Sequence, residues 1–228
     1  MLFRSPNGYA DLACFTLDGH VVPHFVHRYN AFHPPGRMTE RTIEMALADI
    51  FLRAVGSERV VEVGAVTPYY WPGRLDTVID PADDHDLVSD RIGWADWTGS
   101  GEPILSISTF EHIGAGEYGL APDPDLTSAA LDKLLQEHET FLVTYPAGYN
   151  PDLDRIVEGA NRTNPGWRTF VWHRDRRGTD WRQIGFEELT PQMRIYGPAW
   201  ANTLVALYRG PDHIWAAGAT PDASPRPH

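Results

Sequence analysis

Two rhythms of apolar and polar positions run along this chain. In "MTERTIEMALADIFLRAV", Ile43, Ala46, Leu47, Ile50, Phe51 and Ala54 recur at i, i+3, i+4 and i+7, the period of an amphipathic helix with one buried stripe. Thr39 stands where an N-cap belongs and Gly56 ends the pattern. Beyond it the chain changes to short apolar runs: "RVVEVGAV" (59–66), "RLDTVIDP" (74–81), a weaker "RIGWADW" (91–97), "PILSIST" (103–109), "TFLVTYP" (140–146), "WRTFVWHR" (167–174) and "ANTLVALYRG" (201–210). Each reads as a buried strand. Helical patterns at "TSAALDKLLQEHE" (127–139) and "PDLDRIVEGA" (151–160) separate some of them. Continuous apolar strands alternating with helices predict an α/β fold with a doubly wound, mostly parallel sheet, its last two strands forming an antiparallel edge pair. Residues 1–37, broken by "SPNG" and "HPPG", read as an irregular or short-stranded flap over a core domain at 38–215; the Pro-rich 216–228 reads as a disordered tail.

Chemistry gathers where these strands end. Open α/β sheets bind ligands beyond the carboxyl ends of their strands. Glu62 and Gly64 leave the first strand, Asp80 ends the second, Asp96 follows the third segment, Glu111 and His112 follow the fourth, and Tyr149 and Asn150 follow the fifth. "ILSISTFEHIG" (104–114) thus carries an acid and an imidazole to the mouth of an apolar strand. The expectation is that both face a cleft.

With 228 residues and 42% hydrophobic content, the chain suits one sizeable domain. A formal charge of −12 argues against nucleic acid or an anionic membrane as partner. Of 19 basic residues only Lys133 is a lysine. The single cysteine, Cys14, allows no internal disulfide, and a cytoplasmic location is expected.

"VVEVGAV", then "VIDP" ending its strand on Asp80, then "ILSISTFEH", resembles the class I S-adenosylmethionine-dependent methyltransferases over roughly residues 38–210. More narrowly, the chain looks like a bacterial branch with an "EVGNV"-like first loop, a "SISTxEHxG" fourth strand and a "TxPxGYNxxLD" fifth, here "TYPAGYNPDLD" (144–154). The resemblance implies a Rossmann-like sheet of seven strands. It also implies S-adenosyl-L-methionine as cofactor, and methyl transfer to O or N of a small polar acceptor such as a sugar, amino sugar or natural-product intermediate. Glu62, Gly64, Asp80, Asp96, Trp97 and Ser108 would line the cofactor. Gly64 would admit its backbone approach, Asp80 would hold the ribose hydroxyls, and Asp96 and Trp97 would lie near the adenine. Glu62 would stand near the ammonium end, and an acidic pocket suits a ligand that carries a sulfonium and an ammonium.

His112 is the candidate base, with Glu111 orienting it or binding an acceptor amine; an imidazole titrates near neutrality and suits that proton transfer. Tyr29, Asn30, Tyr70, Tyr149 and Asn150 are candidate acceptor contacts. Structural roles stand beside each of these. Glu62 suits capping the next turn, Asp80 a turn before Pro81, and the Glu111–His112 pair capping a helix. The first loop also departs from the family pattern: it has one glycine, and Pro68 removes a backbone N–H. Two alternatives follow, a related fold performing another biosynthetic step such as a cyclisation, and a non-catalytic partner of an active homologue. No metal site is expected, since His20, His24, His27 and His33 lack an acidic partner set and "DPADDHD" (80–86) reads as a solvated loop. The expected partner is the small acceptor, with self-association as a homodimer left open.

Overall fold

The computed structural model describes residues 7–27, 39–117, 121–163, 166–174, 180–194, 201–212 and 214; the expected contacts Tyr29 and Asn30 and the 216–228 tail lie outside them. The chain opens with a hairpin, β1 (Asn7–Leu17) and β2 (His20–His27), joined at Asp18 and Gly19. Helix α1 (Glu40–Val55) follows. Thr39 occupies its N-cap position without a side-chain cap bond, and Gly56 closes it at φ 84°, a conformation that glycine adopts at little cost. Then come β3 (Val61–Val63), the single helical turn α2 (Thr67–Tyr70), β4 (Thr77–Ile79), β5 (Ile104–Ile107), α3 (Pro124–Glu137), β6 (Phe141–Pro146), α4 (Pro151–Asn161), β7 (Arg168–His173), β8 (Arg182–Ile184) and β9 (Thr203–Arg209).

Seven strands form the main sheet in the order β4-β3-β5-β6-β9-β7-β8. The first four are parallel, β9 opposes both β6 and β7, and β8 opposes β7. Only β9 and β8 therefore run against the rest. The expected count of seven is reached with different members. The segment at 91–97 is not a strand: Gly93 accepts from the amides of Asp96 and Trp97, and Trp94 is drawn into the core, its Nε1 donating to the Ala130 carbonyl at 3.0 Å. In its place β8 closes the opposite edge; its three residues, Arg-Gln-Ile, carry too little apolar signal to be read as a strand. The last two predicted strands are antiparallel as expected, but β8 covers β7, and β9 lies inside the sheet.

Alternating side chains send apolar residues to both faces. Leu105, Ile107, Leu142, Phe170, Trp172, Leu204, Ala206 and Tyr208 meet α1 and the hairpin residues Phe15, Leu17, Val22 and Phe25. Ile104, Phe141, Val143, Val171, Val205 and Leu207 meet Ala130, Leu131 and Leu134 of α3 and Leu153 and Val157 of α4. Both faces are covered, yet not by regular winding: between β3 and β4 stands one helical turn, and no α-helix separates β4 from β5. On the α1 face the hairpin adds cover at the other edge, over β7 and β8. Within the segment expected to be irregular or short-stranded, Phe15, Leu17, Val22 and Phe25 join the core.

Trp172 locks the hairpin down. It is wholly buried, its Nε1 donates to the Thr16 carbonyl at 2.7 Å, and its ring meets Phe15 edge-on at 5.7 Å. His24 is a core histidine, 1% exposed, with Nδ1 2.8 Å from Thr42 Oγ1; burial pushes its imidazole down to about 4, against the opposing pull of Asp180. No helix among the described residues is long and apolar enough to cross a membrane. Trp172→Ala should cost about 3–5 kcal/mol of stability, read as a lowered denaturant midpoint with faster proteolysis within residues 7–27.

Candidate active site

Helix α1 runs from the carboxyl rim of the sheet to its amino side, so its first turns overhang the strand ends. Glu44 fastens it there. This carboxylate is fully buried, and its Oε1 accepts from Ser108 Oγ at 2.6 Å and Thr144 Oγ1 at 2.9 Å, at the ends of β5 and β6. Its Oε2 lies 3.2 Å from Arg41 Nη1. Ser108 takes a left-handed conformation, φ 44°, that few residues other than glycine adopt; the strain turns its hydroxyl toward Glu44 and redirects the chain into the 3₁₀ turn Phe110–His112.

That turn presents Glu111 and His112. His112 Nδ1 lies 2.5 Å from Glu117 Oε2, and its ring meets Tyr149 at 4.8 Å, near perpendicular. The Tyr149 hydroxyl donates to Glu117 Oε1 and lies 3.2 Å from the same Nδ1. Because a carboxylate only accepts, Nδ1 carries a proton, and in the neutral imidazole the lone pair is then on Nε2. Desolvation would raise the Glu117 carboxyl, but the hydrogen bonds from Tyr149 and His112, with the imidazole's charge, hold it below the usual range. Glu111 is 1% exposed, with Oε1 3.9 Å from His112 Nε2, and burial pushes its carboxyl well up. Asn150 sets this segment in place: its Nδ2 donates to the carbonyls of Glu111 and Ile113, while its Oδ1 caps α4 by accepting from the amides of Asp152 and Leu153. The expectation that Asn150 touches an acceptor is corrected, since both side-chain atoms already make two bonds each.

The rim beyond β3 and β4 is more self-contained. Glu62 is wholly buried and spends both oxygens on the next turn, accepting from Val66 N at 3.2 Å, Thr67 N at 2.8 Å and Thr67 Oγ1 at 2.5 Å. The capping role describes it. Gly64 is held at φ 90°, and a Cβ there would fall 1.9 Å from Thr109 Oγ1; the close approach it permits is to Thr109, a neighbour within the chain. Asp80 ties two loops together, with Oδ2 accepting from Ala65 N at 3.0 Å and Oδ1 from the amides of Ala82 and Asp83, both at 2.8 Å. A carboxylate has about four acceptor sites, so Asp80 keeps room for one more donor. Tyr70 ends α2, half-buried, within electrostatic reach of Arg41.

Two expected contacts are not brought to this rim. Trp97 stacks on Trp94 at 5.7 Å and on His138 at 5.8 Å, and lines an open cleft of about 610 Å³ with Val60, Val61, Thr77 and Pro103, residues at the amino ends of β3, β4 and β5. Asp96 is exposed in the adjacent turn. The cause is the missing strand: a chain pulled inward at Trp94 descends early toward the start of β5. A second open cleft, of about 1050 Å³, lies at the β7–β8 edge and holds none of the candidate residues. Among the described residues no group of three His, Cys, Asp or Glu side chains could hold a metal ion.

Sequence reasoning missed Arg41, Glu44, Thr144 and Glu117. Glu44 had a signal: it shares a helix face with Leu47 and Phe51, so a charge falls on the buried side of α1. Two buried carboxylate oxygens in this region have no hydrogen-bond partner, Glu40 Oε2 and Glu111 Oε2, while Glu44 Oε2 meets Arg41 Nη1 only as an ion pair. Buried polar atoms are rarely left so. The residues fit the cofactor that the resemblance implies, because the unsatisfied Glu40 Oε2 suits a cationic group and Asp80 can still accept from a hydroxyl.

The chain is similar to the crystal structure of the N-methyltransferase NodS from Bradyrhizobium japonicum WM9, at 12% identity and a TM-score of 0.47, over 79% of this chain and 99% of that one; no residue role is carried over from it. No protein-family model and no curated protein matches the chain.

Burial pushes the Glu62 carboxyl from its ordinary 4.5 up to about 7, against the hydrogen bonds from Thr67 and Val66 and the attraction of Arg41. Between those two values the folded chain holds a proton that the unfolded chain has lost. Stability from this group is therefore full at lower pH and declines as pH rises through that window. Glu62→Gln, uncharged throughout, should reduce the decline, measured as denaturant midpoints from pH 5 to pH 8.

Proposed function

We propose that this protein is a methyltransferase that uses S-adenosyl-L-methionine to methylate O or N of a small polar acceptor. The observation that carries the reading is the His112–Glu117–Tyr149 cluster beyond the ends of β5 and β6, with the Nε2 lone pair beside the buried Glu111. The motif resemblance over 38–210 supports the choice of cofactor, and the buried carboxylate oxygens of Glu40 and Glu111 that lack a hydrogen-bond partner support cationic ligands.

The cofactor supplies, when bound, a methyl group on a positively charged sulfur. The chain's residues do the rest by positioning and by managing one proton. Asp80 would hold a ribose hydroxyl and the Glu40–Glu44 edge the cationic end. Glu117 orients His112 and stabilises the imidazolium that forms when Nε2 takes the acceptor's proton. Tyr149 packs against that ring and fixes its angle.

A second reading has an observation in its favour. Glu62 is fully spent on the turn at 66–67, and Pro68, buried within α2, offers no amide to a carboxylate. These features suit a methyltransferase-fold protein that catalyses another step, such as a cyclisation, or that acts as a non-catalytic partner.

Calorimetry with S-adenosylhomocysteine separates the two: micromolar binding supports methyl transfer and its absence supports the second reading. If binding is found, Asp80→Ala should weaken it by about tenfold, the loss of one hydrogen bond to a charged group. His112→Ala should leave that affinity within about twofold and slow turnover by roughly 10²–10⁴-fold; an unchanged rate would remove His112 from the chemistry.

A further inference from the structure

We infer that the acceptor is an amine, bound as its ammonium by Glu111 beside His112, an assignment that rests on the methyl-transfer reading above. Glu111 is 1% exposed and its Oε2 has no hydrogen-bond partner. The groups that face it are Arg41 and Glu44 on α1, His112 and Glu117 in its own segment, and Tyr145 on β6. Arg41 is the one cation among them, and it is engaged with Glu44 at 3.2 Å. The backbone that carries it is also held in place, because Asn150 donates to the carbonyls of Glu111 and Ile113.

A ligand that enters here meets a buried acceptor oxygen, Oε2, with nothing donating to it. An alcohol offers one O–H, which would have to serve both Glu111 and His112. An ammonium offers several N–H donors and a positive charge, so it can satisfy Glu111 with one and present another to the imidazole. The nearby acids Glu44 and Glu117 favour the cation further and disfavour an acidic acceptor. Burial raises the Glu111 carboxyl well above the usual range, as befits a buried acid whose counter-charge comes with the ligand.

The proton path follows from the tautomer. Glu117 fixes the proton on His112 Nδ1, and Nε2 lies 3.9 Å from Glu111 Oε1, so an ammonium on Glu111 sits within reach of that lone pair. One N–H bond breaks, its electron pair stays on the amine nitrogen, and the proton moves to Nε2. The amine is then neutral and nucleophilic, while Glu117 balances the imidazolium.

The test is calorimetry on the full chain saturated with S-adenosylhomocysteine, titrated with matched pairs: glucosamine against glucose, and benzylamine against benzyl alcohol. The amine of at least one pair should bind tenfold or more tightly than its alcohol. Glu111→Gln should remove that preference while S-adenosylhomocysteine affinity, the check on folding, is kept; should the variant not fold, the wild-type comparison decides. Equal binding within each pair, preference for the alcohols, a preference that survives Glu111→Gln in the folded variant, or no binding by either pair overturns the assignment. Failure of S-adenosylhomocysteine to bind the wild type is a different result: it defeats the methyl-transfer reading, and the amine assignment falls with it.

Discussion

One buried carboxylate organises the rim. Glu44 reaches from α1 to the hydroxyls of Ser108 and Thr144, so a helix that precedes the whole sheet in sequence is joined to the ends of two central strands. A buried carboxylate is tolerable only where donors and a counter-charge meet it, and here both hydroxyls and Arg41 do so. The bond to Ser108 also turns the chain into the segment that carries Glu111 and His112. Packing in the lower half of the sheet is apolar and adaptable; at the rim it is polar and fixed in direction.

The two ends of the rim differ in how much they leave open. Around β3 and β4 the acids bond to backbone amides of their own loops, Glu62 to residues 66–67 and Asp80 to 65, 82 and 83. Around β5 and β6 the polar groups bond to one another through side chains, and buried oxygens remain without donors. The first arrangement shapes a wall and the second leaves capacity for a ligand. The proposed chemistry draws on the latter.

Much of the architecture was legible in the sequence because periodicity reports burial directly. The stripe of α1, the strands at Val61–Val63, Ile104–Ile107 and Phe141–Pro146 and the helices after β5 and β6 all follow from apolar spacing. Periodicity misled where one large side chain outweighed the local pattern. Trp94 enters the core alone and bends "RIGWADW" into a turn. It fell silent where a strand owes its existence to its neighbour, as β8 does to β7. For the candidate site, the strand-end rule pointed to Glu111, His112 and Tyr149, which the structure brings together, since polar groups at a rim interrupt an apolar run. It missed Glu117 and Arg41, whose places depend on how a loop and a helix fold back in three dimensions. It also assigned Asn150 outward, although an amide with two donors and two acceptor sites suits a splice between segments equally well.

The place of β9 bears on how the molecule is made. It is the last strand among the described residues, yet it sits between β6 and β7 and pairs with both. During synthesis from the amino terminus, every earlier element can form while the middle of the sheet stays open, two apolar edges facing water. Closure waits for residues 203–209, and a chain cut short of them leaves both halves with unpaired backbone. Assembly of this protein is thus governed from its carboxyl end, and nascent chains depend longest on whatever shields those edges in the cell.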